Sequence, residues 1–488
     1  MVAWSTRCSS CRQRKIKCDR QWPACGQCQK AKQQCSGPPD KVKFVAENSA
    51  EGSSQAVVIN RFRSRPSSQV PPRKQPIIPP SVPSSQPTLV GGELVSLLTS
   101  QAKTFGFSSF AHVLQHVPAM LDGSQALTSA VSCLADARRR QSMSPKPDRK
   151  LDLRLYCSAL RNLRFSLQDE NELSRIETLL ATLIMWRVEA TIATTVELPY
   201  LLVTWSVHLA GAAYLLERLG PEAANNKLVF SVILESLSEL SSHYYARNQW
   251  FFMGSPKWQR IFNENRDVSI ADKLLFKVYS QMSVFPDVMR DLRRYHLGQV
   301  SYDHIHSRII SMHVVFDTIE GPIRTILEDQ SVIGKRAACS PTSPVEEVYD
   351  TEDSEIPRAC CLYALAKIVA NNMISALNGS LYKFDEENYL HSRRIWMFHE
   401  QAMKVGSFGM HYYPTAILLT YGSAKSRETE EWIVDLLNLL QERNPATDIM
   451  WTREEIFQRC YATSGNIWPS LPPEQNLLPT GPSEHANC

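Results

Sequence analysis

The chain has 488 residues, 43% of them apolar and 21% charged. Those values leave room for two to four domains and exclude a chain that is mostly membrane-embedded or mostly disordered. The formal net charge of +4 conceals a division: residues 1–45 hold ten Lys or Arg against two Asp, and the rest hold 43 basic and 47 acidic side chains. A basic head on a mildly acidic body puts a polyanionic partner at one small module.

That head is organised by cysteine. It reads Cys8-Ser9-Ser10-Cys11, six residues, Cys18, six residues, Cys25-Gly26-Gln27-Cys28, six residues, Cys35, so that one C-x2-C-x6-C unit occurs twice in succession. Six of the chain's 13 cysteines fall in this window, which contains no histidine. Structural zinc takes four thiolate or imidazole ligands in a tetrahedron. One zinc leaves two thiols over, and two separate zincs need eight ligands. Two zincs sharing two thiolates use all six. The resulting cluster carries a net −2, which the surrounding lysines and arginines partly offset. Secreted disulfide domains follow an apolar leader, and Met1 to Arg7 contains no such stretch.

The run from Cys8 through Arg12-Gln13-Arg14-Lys15-Ile16-Lys17 to Cys18-Asp19, followed by Trp22-Pro23-Ala24-Cys25-Gly26-Gln27-Cys28, resembles the fungal Zn(II)2Cys6 binuclear-cluster transcription factors. The resemblance covers about the first tenth of the chain. It implies two Zn2+ per chain held by Cys8, Cys11, Cys18, Cys25, Cys28 and Cys35, with Cys8 and Cys25 as the bridging sulfurs; spacing alone does not show which two bridge.

Each half of the repeat is expected to form a short helix opening in its CxxC turn, joined to the other by a loop carrying Pro23, with metal supplying most of the core. The halves differ in charge. Arg12, Arg14, Lys15 and Lys17 lie in the first, but only Lys30 and Lys32 lie between the cysteines of the second. The first helix is therefore the candidate contact with double-stranded DNA. The resemblance implies that Lys15 reads base edges, with Arg14 and Lys17 beside it, on a CGG-type triplet. Phosphate contact or plain solvation is the alternative for all four, and it weighs most for Arg12; Lys30 and Lys32 are assigned to phosphates.

Ser36-Gly37-Pro38-Pro39 stops the second helix, and Lys41 to Arg65 shows no apolar heptad that would pair two chains. Residues 46–90 hold eight of the 29 prolines and nine serines, a composition that reads as a disordered linker. Arg61, Arg63, Arg65, Arg73 and Lys74 within it fit a nuclear import signal, extra phosphate contacts or ordinary solvated charge.

From Gly91 to about Asn466 the pattern is helical. Leu127, Val131 and Leu134 recur at three and four, as do Leu153, Tyr156, Leu160, Leu163 and Leu167. Leu173, Ile176, Leu180 and Leu183 continue the pattern, and Ile433, Leu436, Leu437 and Leu440 repeat it. A core-facing helix is the default for Leu153–Leu167, and a dimerisation helix is the alternative. Tyr156 to Leu163, then His208 to Pro221, resemble the all-helical regulatory domain that follows the cluster in many such factors. Gly220-Pro221 ends a helix, Gly211 allows close packing, and His208 reads as a satisfied core histidine. Leu198 to Leu216 lacks a full charge over a near-membrane length, but Pro199 and its polar residues favour a buried helix. Residues 337–357, with Glu346, Glu347, Asp350, Glu352, Asp353 and Glu355, read as an acidic, solvated loop, the alternative being an activation segment. The tail from 467 to 488 reads as flexible.

No phosphate-cradling glycine loop or nucleophile elbow occurs; His304, His306 and His313 lack an obvious carboxylate companion set, and His399-Glu400 is not followed by a histidine at the metalloprotease spacing. The expected protein is a nuclear, non-enzymatic, sequence-specific regulator of RNA polymerase II genes, with a zinc head, a linker and a large all-α domain. The resemblance points to metabolic or secondary-metabolite genes. Contact with the transcription machinery and self-association through the helical domain are the further partners considered, and no membrane is among them. The rival reading makes the helical domain a small-molecule sensor or interaction scaffold, with the cluster as a DNA tether.

Overall fold

The structure is a computed structural model that describes residues 9–18, 25–33, 35, 85–101, 110–143, 152–192, 206–264, 266, 268–353, 355–378, 384–404, 412–443 and 450–463. The chain divides into two compact units, Met1–Pro79 and Pro80–Cys488. Cys8, most of the 46–90 linker and the 467–488 tail lie outside the described residues.

The first unit has two five-residue helices, α1 (Ser9–Gln13) and α2 (Gly26–Lys30), packed on each other. Five residues are too few for a helix to persist alone in water. The core they share is made of the buried cysteines Cys11, Cys18, Cys25 and Cys28, with Ile16 and Cys35 partly buried against it. Among the described residues, Ile16 is the one large apolar side chain packed against that core, too little to hold two short helices, so cohesion depends on what the sulfurs bind.

The second unit opens with α3 (Gln86–Gln101), which starts five residues before the expected Gly91 boundary. Ser85 accepts from the Thr88 N–H and so caps it. The helices that follow are α4 (Phe110–Leu114), α5 (Gln125–Met143), α6 (Leu153–Ser166), α7 (Glu170–Leu173), α8 (Ile176–Ile192), α9 (Ser206–Leu219) and α10 (Lys227–Ala246). Then come α11 (Pro256–Asn263), α12 (Ile270–His296), α13 (Tyr302–Glu328), α14 (Glu355–Asn378), α15 (Asp385–Trp396) and α16 (His399–Lys404). The last three are α17 (Tyr413–Leu419), α18 (Arg427–Arg443) and α19 (Arg453–Thr463). Asp152, Asn226, Ser269 and Ser301 cap α6, α10, α12 and α13 through side-chain oxygens that accept the first free N–H groups.

Packing runs as a relay, in which α5 meets α6 and α8, α8 meets α9, α9 meets α10, and α10 meets α12. In turn α12 packs on α13 and α14, and α14 on α15. One continuous apolar core extends from Val90 to Ile456. At its centre is α14, which buries 19 of its 24 residues. Among the described helices it is long and apolar enough to cross a membrane, but its burial within the bundle accounts for that composition. The near-span-length stretch noted above lies elsewhere: its described part belongs to α9, which buries Leu209, Ala212, Leu215 and Leu216 and exposes Val207 and Tyr214.

Leu127, Val131, Leu134, Leu180, Leu183 and the four stripe residues of α18 are buried, as their spacing requires. Two stretches depart from expectation. Leu153 and Leu167 are exposed at the ends of α6, which packs on α5 and α8 with Ala159 and Leu163 buried and Leu155, Tyr156 and Leu160 partly buried against the core. Leu173 and Ile176 belong to separate helices, α7 and α8, since Asp169 caps a new turn and the chain breaks at Ser174-Arg175.

The segment 337–357, read above as a solvated acidic loop, is ordered where described. Strands β1 (Gly334–Ala337) and β2 (Glu347–Asp350) pair antiparallel, with Lys335 opposite Tyr349 and Arg336 opposite Val348. Val345, Val348, Tyr349 and Ile356 enter the core, and the Tyr349 N–H donates to the Met397 carbonyl at 2.8 Å. Asp353 accepts from the Glu355 and Ile356 N–H groups and so starts α14. The acidic residues mask this because they occupy the outward positions and the cap, and the strands are too short to show a period of two.

Candidate metal centre and nucleic-acid interface

The two halves of the cysteine repeat end in the same way. After α1, Lys15 adopts φ 54°, and the Ile16 N–H reaches back to the Cys11 carbonyl at 3.1 Å. After α2, Lys32 adopts φ 46°, the Gln33 N–H donates to the Cys28 carbonyl at 3.0 Å, and the Lys32 N–H donates to the Gln29 carbonyl at 3.0 Å. This is the Schellman closure of a helix, with lysine at the left-handed position where glycine is usual. Lys15 and Lys32 occupy equivalent positions in the repeat, each seven residues after the first cysteine of its half. Beyond these turns, Cys18 and Cys35 join the core that holds Cys11, Cys25 and Cys28.

The sulfurs of Cys11, Cys25 and Cys28 all lie within 4.8 Å of one another. Cys11 Sγ is 3.6 Å from Cys25 Sγ and 4.0 Å from Cys28 Sγ. With Zn–S bonds of about 2.3 Å, the edge of a tetrahedral site is roughly 3.8 Å, so the spacing fits sulfurs that share a metal. The trio joins both halves of the repeat, as a shared cluster demands. Cys18 is buried and Cys35 half-buried at the same core, and Cys8, the sixth expected ligand, lies outside the described residues.

The four basic candidates part company here. Lys15 and Lys17 are exposed, and the Arg12 side chain lies outside the described residues. Arg14 is half-buried and turned toward the sulfurs, its Nη2 donating to Cys28 Sγ at 3.5 Å and to Cys11 Sγ at 4.0 Å. Lys30 and Lys32 are exposed. The inward turn of Arg14 has no signal in the sequence. The shared position of Lys15 and Lys32 is legible in the sequence as a repeat of the cysteine register.

In the helical unit, His208 pairs with Glu189 at 3.0 Å, and the same carboxylate accepts from the Tyr156 hydroxyl at 2.6 Å, which makes it the satisfied histidine expected. His304 faces Asp291 at 3.4 Å, His313 faces Lys367 at 3.2 Å, and His399 meets the Trp396 carbonyl at 2.8 Å. Among the described residues these histidines are spread over separate contacts. Gly211 faces Thr182 of α8 with room for an ordinary methyl contact, and Gly220, at φ 75°, ends α9 as expected.

Residues 6–43 match the fungal Zn(2)-Cys(6) binuclear cluster domain, and residues 97–255 match the fungal specific transcription factor domain. Both are domains of fungal transcription factors. No curated protein and no solved structure matches the chain. The zinc-cluster domain binds two zinc ions, and the sulfurs here fit that role. DNA binding goes with that domain, and nuclear residence goes with the family. The second match ends at Ser255, beyond which the same core continues through Ile456.

Proposed function

We propose that the protein is a sequence-specific activator or repressor of RNA polymerase II genes, whose zinc head reads a CGG-like triplet in the major groove. The observation that carries this reading is the placement of Lys15: exposed, at the C-terminal turn of α1, on backbone pinned by the metal-binding helix. When bound, the two zincs supply a rigid cross-link in place of an apolar core, with Cys8 and Cys25 proposed as the bridges. Lys15 donates to guanine O6 and N7, a contact worth about 1–3 kcal/mol of discrimination against a wrong base. Lys17, Lys30 and Lys32 neutralise phosphates, and those contacts make affinity fall steeply with salt. Arg12 is assigned to the same surface.

The test is selection of bound sequences from random duplexes by the full-length, zinc-loaded protein. Enrichment of a GC-rich triplet supports the reading, as one copy for a chain acting alone or as two at fixed separation for a pair joined through the helical unit. Enrichment of nothing, or affinity indifferent to salt, would sink it. Metabolic or secondary-metabolite genes are the proposed targets.

A further inference from the structure

Arg14 sits within the basic run that reads as a DNA-contacting face, but its guanidinium is committed elsewhere. Its Nε donates to the Ser10 carbonyl at 3.4 Å, one helical turn back in α1. Its Nη2 spans to Cys28 in the other half of the repeat at 3.5 Å, and also lies 4.0 Å from Cys11. One planar group thus ties the first half-repeat to a sulfur fourteen residues away, while its neighbours Gln13, Lys15 and Lys17 are exposed. A guanidinium keeps its charge at every physiological pH and carries five N–H donors in a rigid fork. Donated to a thiolate, such a bond is charge-assisted, and it reaches the atoms that carry the cluster's excess negative charge.

We infer that Arg14 is a positioning residue of the zinc centre: it holds the Cys11 and Cys28 sulfurs of the two halves in register and retards zinc loss, and it does not read bases. The inference rests on the two-zinc cluster and is independent of which DNA sequence is bound. Groups that orient metal ligands from behind typically change metal affinity 10–100-fold when removed.

The experiment follows zinc transfer from the full-length, zinc-loaded protein to an excess of a chromophoric chelator. Arg14→Gln is expected to release zinc about tenfold faster or more. Lys17→Gln, which removes the same charge from an exposed position, is expected to release zinc at the unmodified rate. Arg14→Lys keeps the charge without the fork, so it too is expected to release faster, and it decides the matter if Arg14→Gln fails to fold. In excess zinc, Arg14→Gln is expected to keep the unmodified ratio of affinities for selected and scrambled duplexes. Equal acceleration by Arg14→Gln and Lys17→Gln overturns the inference, as does unmodified release from Arg14→Lys or a loss of duplex preference in zinc-saturated Arg14→Gln. If the unmodified protein prefers no duplex, the base-reading proposal fails, and the release rates still decide the role of Arg14.

Discussion

Lys15 combines two demands that most residues keep apart. Its side chain is the proposed base reader, and its backbone holds the left-handed conformation that ends α1. That conformation costs an L-residue roughly 1–2 kcal/mol, which glycine does not incur. Lys15→Gly therefore separates fold from recognition. The variant is expected to bind two zincs and to melt no lower than the unmodified head. Its preference for the selected triplet over a scrambled one is expected to disappear. Retention of that preference, measured on zinc-saturated protein, would assign Lys15 to the phosphates instead. The cysteines were legible as bare spacing because a metal imposes its ligand count on the chain directly. The direction of Arg14 was not, because a side chain three residues from a ligand can turn to groove or sulfur with the same sequence around it.

Among helices, one fastening is polar and lies inside. Glu235 and Glu239 are one turn apart on α10, and each meets an arginine from a different helix: Arg187 of α8 reaches Glu239 at 3.1 Å, and Arg358 of α14 reaches Glu235 at 3.5 Å. All four side chains are less than a tenth exposed. The Arg187 guanidinium also lies 4.1 Å over the Phe110 ring, so α4 joins the same junction. Arg358 further pairs with Glu355 at 3.3 Å on its own helix. Burial already pushes the Glu235 carboxyl up to about 8; Arg358→Met removes its partner from α14, which costs about 3–5 kcal/mol while Glu235 is ionised and less once it is protonated. The expected result is a matching drop in the denaturant midpoint of the helical unit, largely recovered in Arg358→Met/Glu235→Leu. A single variant as stable as the unmodified chain would show the junction to be solvated. Isolated charges on otherwise apolar helices read as solvent-facing in a one-dimensional pattern, which is why this junction has no sequence signature.

For the whole molecule, each of the two units has its own source of cohesion. The head has a core of sulfur and five-residue helices, whereas the helical unit has an apolar core running from Val90 to Ile456. Zinc removal should therefore unfold the one and spare the other. In the full-length protein, a strong chelator is expected to abolish duplex binding and helical signal from the head while the main thermal transition keeps its midpoint. A shift of that main transition by the chelator would mean that the helical unit also depends on metal.

What the sequence determined by itself was whatever a short stretch of chain can specify: a ligand set written as spacing, a basic head, and helices written as a repeat of three and four. Metal geometry and helical period act within a few residues of each other, so no folded context is needed to read them. Only the tertiary structure decided that Arg14 faces sulfur, that the acidic stretch folds as a hairpin against Met397, and that α14 is apolar because the bundle surrounds it. Each of these depends on groups distant in sequence, and the free energy that selects them, from burial or from an opposite charge, exists only once those groups have met.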